Sequence, residues 1–265
     1  MGNWLNLNGK TIVVTGGASG IGLHIVQELK KNEANLVVAD INVETGEKDG
    51  VYNIKTDITS VQDIERMVEL TEEKFGKIDV LVNNAGVNLP RLLVDVYSDE
   101  RQYEIDERSF DIMTNINQKG MVFTTQAVVR SMVKQKLEGT IINISSESGM
   151  EGSVGQSLYS ATKGATNSYT RSWGKELGKF GIKVVGVAPG INEKTGLTTP
   201  EYNEALAYTR NINVEDLDTG YEKSIPLGRV GKLDEIAYLV AFLSSDKSDY
   251  ITGTTINISG GKSRG

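Results

Sequence analysis

The chain has 265 residues, of which 38% are hydrophobic and 24% charged, with no cysteine and a formal net charge of −7. Without cysteine there are no disulfides, thiolate metal ligands or thiol nucleophiles, and an acidic chain lacking basic runs is a poor match for nucleic acid. The start is not of signal type and no apolar run approaches the roughly 18 residues of a membrane span, so a soluble, cytoplasmic protein is expected.

Short Val- and Ile-rich runs alternate with longer amphipathic segments from end to end. The runs predict strands at 11–15, 35–39, 52–56, 78–82, 140–144, 183–188 and 254–258. Helical patterns fall at 20–31, 60–75, 108–136, 157–179 and 233–244. Near-continuous apolar strands alternating with helices imply a parallel sheet covered on both faces. The expectation is a single α/β domain over 1–265, doubly wound and Rossmann-type, around a seven-stranded parallel sheet.

The first strand runs into Thr15-Gly16-Gly17-Ala18-Ser19-Gly20-Ile21-Gly22, which opens the first helix. Backbone N–H groups at such a turn form a diphosphate site, so Gly16, Ser19, Gly20, Ile21 and Gly22 are expected at a dinucleotide. Gly16 suits the tight turn, Gly20 a close approach of backbone and ligand, and Gly22 close helix packing. Asp40 ends the second strand, where a carboxylate accepts from ribose hydroxyls and repels a 2′-phosphate. NAD is therefore expected rather than NADP.

Two stretches interrupt the alternation, at 87–106 and 191–221; the second carries a helix-compatible patch at Tyr202–Arg210. Both follow strands, where open α/β sheets bind ligands, and they are expected to be a substrate loop and a lid. Tyr159 and Lys163 are four apart, so a helix places the ammonium beside the phenol. A unit charge about 4 Å away contributes about 4 kcal/mol at an effective dielectric near 20, enough to bring the phenol near neutral pH. His24, the only histidine, reads as a packing residue, and no metal-ligand cluster is visible.

Over essentially its full length the chain resembles the short-chain dehydrogenase/reductase family. The resemblance rests on Thr15–Gly22, Asp57, Asn83-Asn84-Ala85-Gly86, Asn117 before Gly120, Ser146, the Tyr159/Lys163 pair and Pro189-Gly190. It implies Tyr159 as general acid–base, with Lys163 lowering its pKa and holding the nicotinamide ribose. Ser146 would bond the substrate oxygen and Asn117 would help hold a proton-relaying water; Ser145 and Asn115 are the rivals. Asn84, Ala85, Gly86, Asp57, Ile58, Pro189 and Gly190 join the implied cofactor set. Members of the family place a threonine five residues after the proline, whereas Lys194 stands there and Thr195 follows. The family's two-fold pairing implies a homotetramer through the helix from Tyr159, whose i, i+4 row is Ala161, Ala165, Tyr169, Trp173 and Leu177; packing within the monomer is the alternative.

Within the family, segments 88–95, 115–120, 151–157, 168–173, 189–197, 204–210 and 260–265 are similar to those of bacterial sorbitol-6-phosphate 2-dehydrogenases. The implied reaction is reversible NAD-dependent oxidation of sorbitol 6-phosphate at C2 to fructose 6-phosphate. Phosphate calls for cations, for which Arg91, Lys194 and Arg210 are expected, with Lys262 and Arg264 available from a partner subunit; Glu147 is also expected at the substrate. The alternatives are another short-chain polyol or keto reductase and, from a different class, a non-catalytic NAD-sensing regulator.

Overall fold

A computed structural model describes residues 4–263 except Leu197 and Asp218, so Arg264 lies outside the described residues. Eight strands form one sheet: β1 (Thr11–Thr15), β2 (Asn35–Asp40), β3 (Gly46–Lys48), β4 (Val51–Lys55), β5 (Val80–Asn83), β6 (Gly139–Ile144), β7 (Ile182–Pro189) and β8 (Thr254–Ile258). Their order is β3-β4-β2-β1-β5-β6-β7-β8, and every pairing is parallel except β3 with β4.

The seven expected strands are all present; β3 is the addition. Its sequence Gly46-Glu47-Lys48 is polar and mostly exposed, so no apolar run announces it. A two-residue turn, Asp49-Gly50, folds it back on β4 with φ of 53° and 70°. Positive φ at both positions is the type I′ geometry that matches strand twist in a tight hairpin.

Helices α1 (Gly20–Lys31) and α9 (Leu233–Ser244) cover one face, packing against each other. The other face carries α2 (Val61–Phe75), α4 (Met121–Gln135) and α6 (Ser157–Leu177). Parity in β1 explains the two cores: Ile12 and Val14 join one apolar cluster and Val13 the other, because successive strand side chains point to opposite faces. Trp173 and Leu177 pack against the second core, so the outer end of the α6 row is partly used within the monomer.

The helix expected over 108–136 is two helices, α3 (Glu107–Thr114) and α4, joined by π-helical Asn115–Gly120. Wider turns of this kind are common at functional sites. Here the turn carries Asn117 inward and seats Gly120 where an added Cβ would lie 2.8 Å from Ile58 Cδ1. Short α5 (Ser148–Glu151) follows β6, while α7 (Pro200–Arg210) and α8 (Tyr221–Ser224) lie in the stretch expected to form a lid. The chain leaves β1 toward β2 and β4, then returns to β5 on the other side of β1. That reversal opens a crevice beyond the strand ends. Among the described residues no helix is long and apolar enough to cross a membrane.

Candidate active site

The crevice is a cleft of about 370 Å³ beyond the ends of β1, β2, β4, β5, β6 and β7. Its floor is the glycine loop. Gly16 and Gly20 have φ of 63° and 53°, the left-handed region that favours glycine. A Cβ on Gly16 would lie 2.9 Å from Ala85 Cα, and one on Gly22 would lie 2.1 Å from the Gly16 oxygen. Asn84 Nδ2 donates to the carbonyls of Thr15 and Gly16 at 3.0 and 2.9 Å, and Thr15 Oγ1 accepts from the amides of Asn84 and Ala85. The turns after β1 and β5 thus brace each other. At the start of α1, Ser19 makes no side-chain cap and the first turn holds no acid, which leaves the helix N-terminus suited to an anion.

Every residue expected at the cofactor lines this cleft except Gly22, which lies behind the loop. Asp40 is 8% exposed, with Oδ2 accepting from Ala18 N at 3.1 Å and Oδ1 from Asn42 N at 2.9 Å. These bonds hold the carboxylate at the cleft wall. The charged residues lining the cleft are Asp40, Asp57 and Lys163.

Ser146, Tyr159 and Lys163 meet at one end of it. Tyr159 and Lys163 share a face of α6, and Ser146 arrives from the end of β6 close enough to the phenol to lower its pKa. Ser145, the sequence rival, is buried and donates to the Lys163 carbonyl at 3.1 Å. Ser146 Oγ also accepts from Ser148 N and Oγ, at 3.2 and 3.0 Å.

The expectation that lysine alone tunes the tyrosine fails. Burial pushes the Tyr159 phenol up to about 12, with the nearby Tyr202 adding to the rise and Ser146 opposing it. Burial likewise lowers Lys163 to about 8. The simple estimate set a charge beside the phenol but left out the loss of water around both groups, and desolvation is the larger effect here. Lys163 Nζ, moreover, donates to the Ile144 carbonyl at 2.8 Å.

Asn117 sits behind the cleft. Its Oδ1 accepts from Val87 N and its Nδ2 donates to the Val87 carbonyl, both at 2.8 Å, and also to Thr162 Oγ1 at 3.1 Å. The side chain ties the loop after β5 to α6, one turn from Tyr159. Asn83, Asn143, Thr125 and Thr170 form a buried hydrogen-bonded group nearby, joining β5 and β6 to α4 and α6.

None of the four residues expected at the substrate lines the cleft itself. Both arginines touch the turn before α6, Arg91 through its main chain: Arg91 N donates to the Gly155 carbonyl at 2.7 Å while its Nη1 donates to the Pro90 carbonyl at 2.8 Å, and Arg210 Nη2 donates to Ser153 Oγ at 3.4 Å. Arg91 Nε is buried without a hydrogen-bond partner, and its guanidinium lies 5.6 Å from the Tyr103 ring centre. Glu147 Oε1 accepts from Lys262 of the same chain at 2.7 Å, so that lysine does not depend on a partner subunit to reach the site. Lys194 is exposed, while its neighbour Thr195 lines the cleft and packs 3.3 Å from the position of a Gly20 Cβ.

Sequence reading missed Thr195 in this position, together with Tyr202 and Gln156. Tyr202 OH accepts from Gln156 Nε2 at 2.9 Å and Asn88 Nδ2 at 3.3 Å. Its place in the helix-compatible patch was visible; its direction was not, because the approach of α7 to α6 is a long-range packing result. Asp95 fastens the 87–106 loop to α7, accepting from Tyr97 N, Tyr103 N and Tyr208 OH at 3.1, 3.3 and 3.0 Å.

The short chain dehydrogenase family model matches residues 10–205. The chain is 56% identical over its whole length, and that of the relative, to a sorbitol-6-phosphate 2-dehydrogenase of Klebsiella pneumoniae. It is 37% identical to a 3-oxoacyl-(acyl-carrier-protein) reductase of Thermotoga maritima, covering 97% of this chain and 99% of the relative. A solved 3-ketoacyl-(acyl-carrier-protein) reductase of Brucella melitensis complexed with NADH superposes with TM-score 0.80 at 28% identity, covering 97% of this chain and 99% of the other. With its glycine loop, its reversed sheet order and these relatives, the chain belongs to the short-chain dehydrogenase family and is an oxidoreductase.

Proposed function

We propose that this oxidoreductase transfers hydride reversibly between NAD and C2 of sorbitol 6-phosphate, giving fructose 6-phosphate. The observation that carries the reading is the meeting of Ser146, just after β6, with Tyr159 and Lys163, from α6, in a cleft lined by the glycine loop and Asp40. The likeness to the Klebsiella enzyme supports the choice of substrate.

The cleft fits a nicotinamide dinucleotide. Gly16 and Gly22 occupy places that a Cβ would fill, the N-terminus of α1 faces an anion site, and Asp40 stands at the end of β2. Gly16, Ser19, Gly20 and Ile21 would hold the diphosphate, Asp40 the adenosine ribose, and Asp57 and Ile58 the adenine. Asn84, Ala85 and Gly86 would line the adenosine side, with Lys163 at the nicotinamide ribose and Pro189, Gly190 and Thr195 closing the far wall. With two acids and one lysine as its charged lining, the cleft favours NAD over the 2′-phosphorylated form. When bound, the nicotinamide supplies the hydride acceptor.

Tyr159 takes the hydroxyl proton in oxidation and returns it in reduction, while Ser146 donates to the substrate oxygen and orients it. Lys163, charged, steadies the phenolate. Asn117 keeps the loop after β5 and α6 in register. Arg91 and Arg210 hold the phosphate beside the Ser153–Gln156 turn, and Glu147, paired with Lys262, is the acidic residue of the substrate set. The 87–106 loop and the 191–221 stretch act as substrate loop and lid, within a homotetramer.

A panel of phosphorylated and free polyols with NAD or NADP, followed by NADH absorbance, tests this reading. The expected result is NAD-dependent turnover of sorbitol 6-phosphate well above free sorbitol. No turnover of any polyol, together with NADPH-dependent reduction of 3-oxoacyl thioesters in a parallel assay, would overturn it in favour of a keto reductase.

A further inference from the structure

Tyr202 lies on α7, yet its hydroxyl meets residues from two other parts of the site: Asn88, just after β5, and Gln156, the residue preceding α6 and one turn before Tyr159. Gln156 is 8% exposed, and Asn88 Oδ1 is buried with no hydrogen-bond partner. The phenol is also close enough to Tyr159 for its charge to be felt there. As arranged, the phenol oxygen accepts from both amides, leaving the Tyr202 proton and Asn88 Oδ1 unpaired. If the Asn88 amide is turned end for end, the phenol donates to Oδ1, and Nδ2 and a phenol lone pair are left over. Either arrangement leaves at least one donor and one acceptor of the pair unpaired. That is the complement of an alcohol hydroxyl, which both donates and accepts. At 3.3 Å the Asn88–Tyr202 contact is long for a hydrogen bond, so a hydroxyl that takes its place displaces little.

We propose that Tyr202 and Asn88, with Gln156 orienting the phenol, recognise the hydroxyl on the carbon next to the reacting carbon, making Tyr202 a specificity-determining residue carried onto the substrate by α7. The assignment rests on the polyol-phosphate reading above and deepens it. A ketone without that hydroxyl would leave the pair unsatisfied, which is how a site built for a hydroxyl rejects its deoxy analogue.

The test compares fructose 6-phosphate with its 1-deoxy and 3-deoxy analogues, using the full-length protein with NADH, for the wild type, Tyr202→Phe and Asn88→Ala. For the wild type, kcat/KM falls about tenfold or more on one of the two analogues, the scale of one lost hydrogen bond left unsatisfied. In Tyr202→Phe that ratio shrinks to about one, the loss falling mainly on KM of the hydroxylated sugar. NADH affinity by fluorescence stays at the wild-type value. Asn88→Ala shrinks the same ratio, and decides the question if the phenylalanine variant melts early. A ratio unchanged in the folded variants overturns the proposal. If the wild type turns over no sugar phosphate, the substrate reading fails instead. The same ratio, measured on an α-hydroxyketone and its deoxy counterpart, then decides the role of Tyr202.

Discussion

The ammonium of Lys163 lies 5.7 Å from the centre of the Tyr159 ring and donates at 2.8 Å to the carbonyl of Ile144. The end of β6 therefore holds the lysine as firmly as the helix that carries it. In this state both groups are buried, with the phenol at about 12 and the lysine at about 8. The protonated phenol is suited to ketone reduction, and oxidation needs its proton removed. For the polyol, kcat/KM should accordingly rise with pH up to about 8, where Lys163 loses the charge that steadies the phenolate, while reduction shows no matching rise. Steady-state rates in both directions across that range check this.

The same shifts set a stability profile for the ligand-free protein. Lys163 is held below its ordinary 10.5, so between about 8 and 10.5 the unfolded chain binds more protons and stability rises with pH. Tyr159 is held above its ordinary 10.0, so from 10.0 to about 12 the native state binds more protons and stability falls. Denaturant titrations of the ligand-free protein should show the rise, and Lys163→Met should abolish it.

Replacing Tyr159 by Phe removes the proton carrier and keeps the ring. A fall in kcat of about 10²–10⁴ is expected, the usual contribution of positioned acid–base catalysis. NADH binding, followed by fluorescence, should persist. Undiminished turnover would exclude Tyr159 as the acid–base.

Asp40→Asn keeps the shape and one of the two acceptors that meet Ala18 N and Asn42 N, while removing the charge that opposes a 2′-phosphate. The preference for NAD over NADP, as a ratio of kcat/KM, should fall about tenfold or more, since tenfold is 1.4 kcal/mol and like-charge contacts cost several. Kinetics with both cofactors read this directly.

Arg91→Ala and Arg210→Ala should each raise KM for the phosphorylated polyol by about tenfold or more, the scale of a charge-assisted hydrogen bond. KM for NAD and turnover of unphosphorylated polyols should change little. Unchanged kinetics in either variant removes that arginine from the phosphate site.

Gly22→Ala sets a methyl carbon 2.1 Å from the Gly16 oxygen, a backbone atom that cannot swing aside. Overpacking of this kind costs about 1–3 kcal/mol. Calorimetry should show a lower melting temperature, with weakened NADH binding because the displaced atom belongs to the diphosphate loop.

Much of the molecule was legible in the amino-acid order because the information is local. Apolar runs in β1, β2 and β5–β7 mark strands buried on both faces, and the glycine loop, Asp40 and the Tyr159–Lys163 spacing each lie within one element or at its end. Tertiary structure decided what depends on distance between elements and on loss of water. It paired polar β3 with β4, set a π turn at Asn117, placed Thr195 rather than Lys194 at the cleft, and brought Tyr202 to Gln156. It also reversed the expected ionisation of Tyr159, because the desolvation that outweighs its lysine neighbour arises from everything packed around α6. Periodicity says which residues share a face; only the assembled fold sets how much water they keep and which partners they meet.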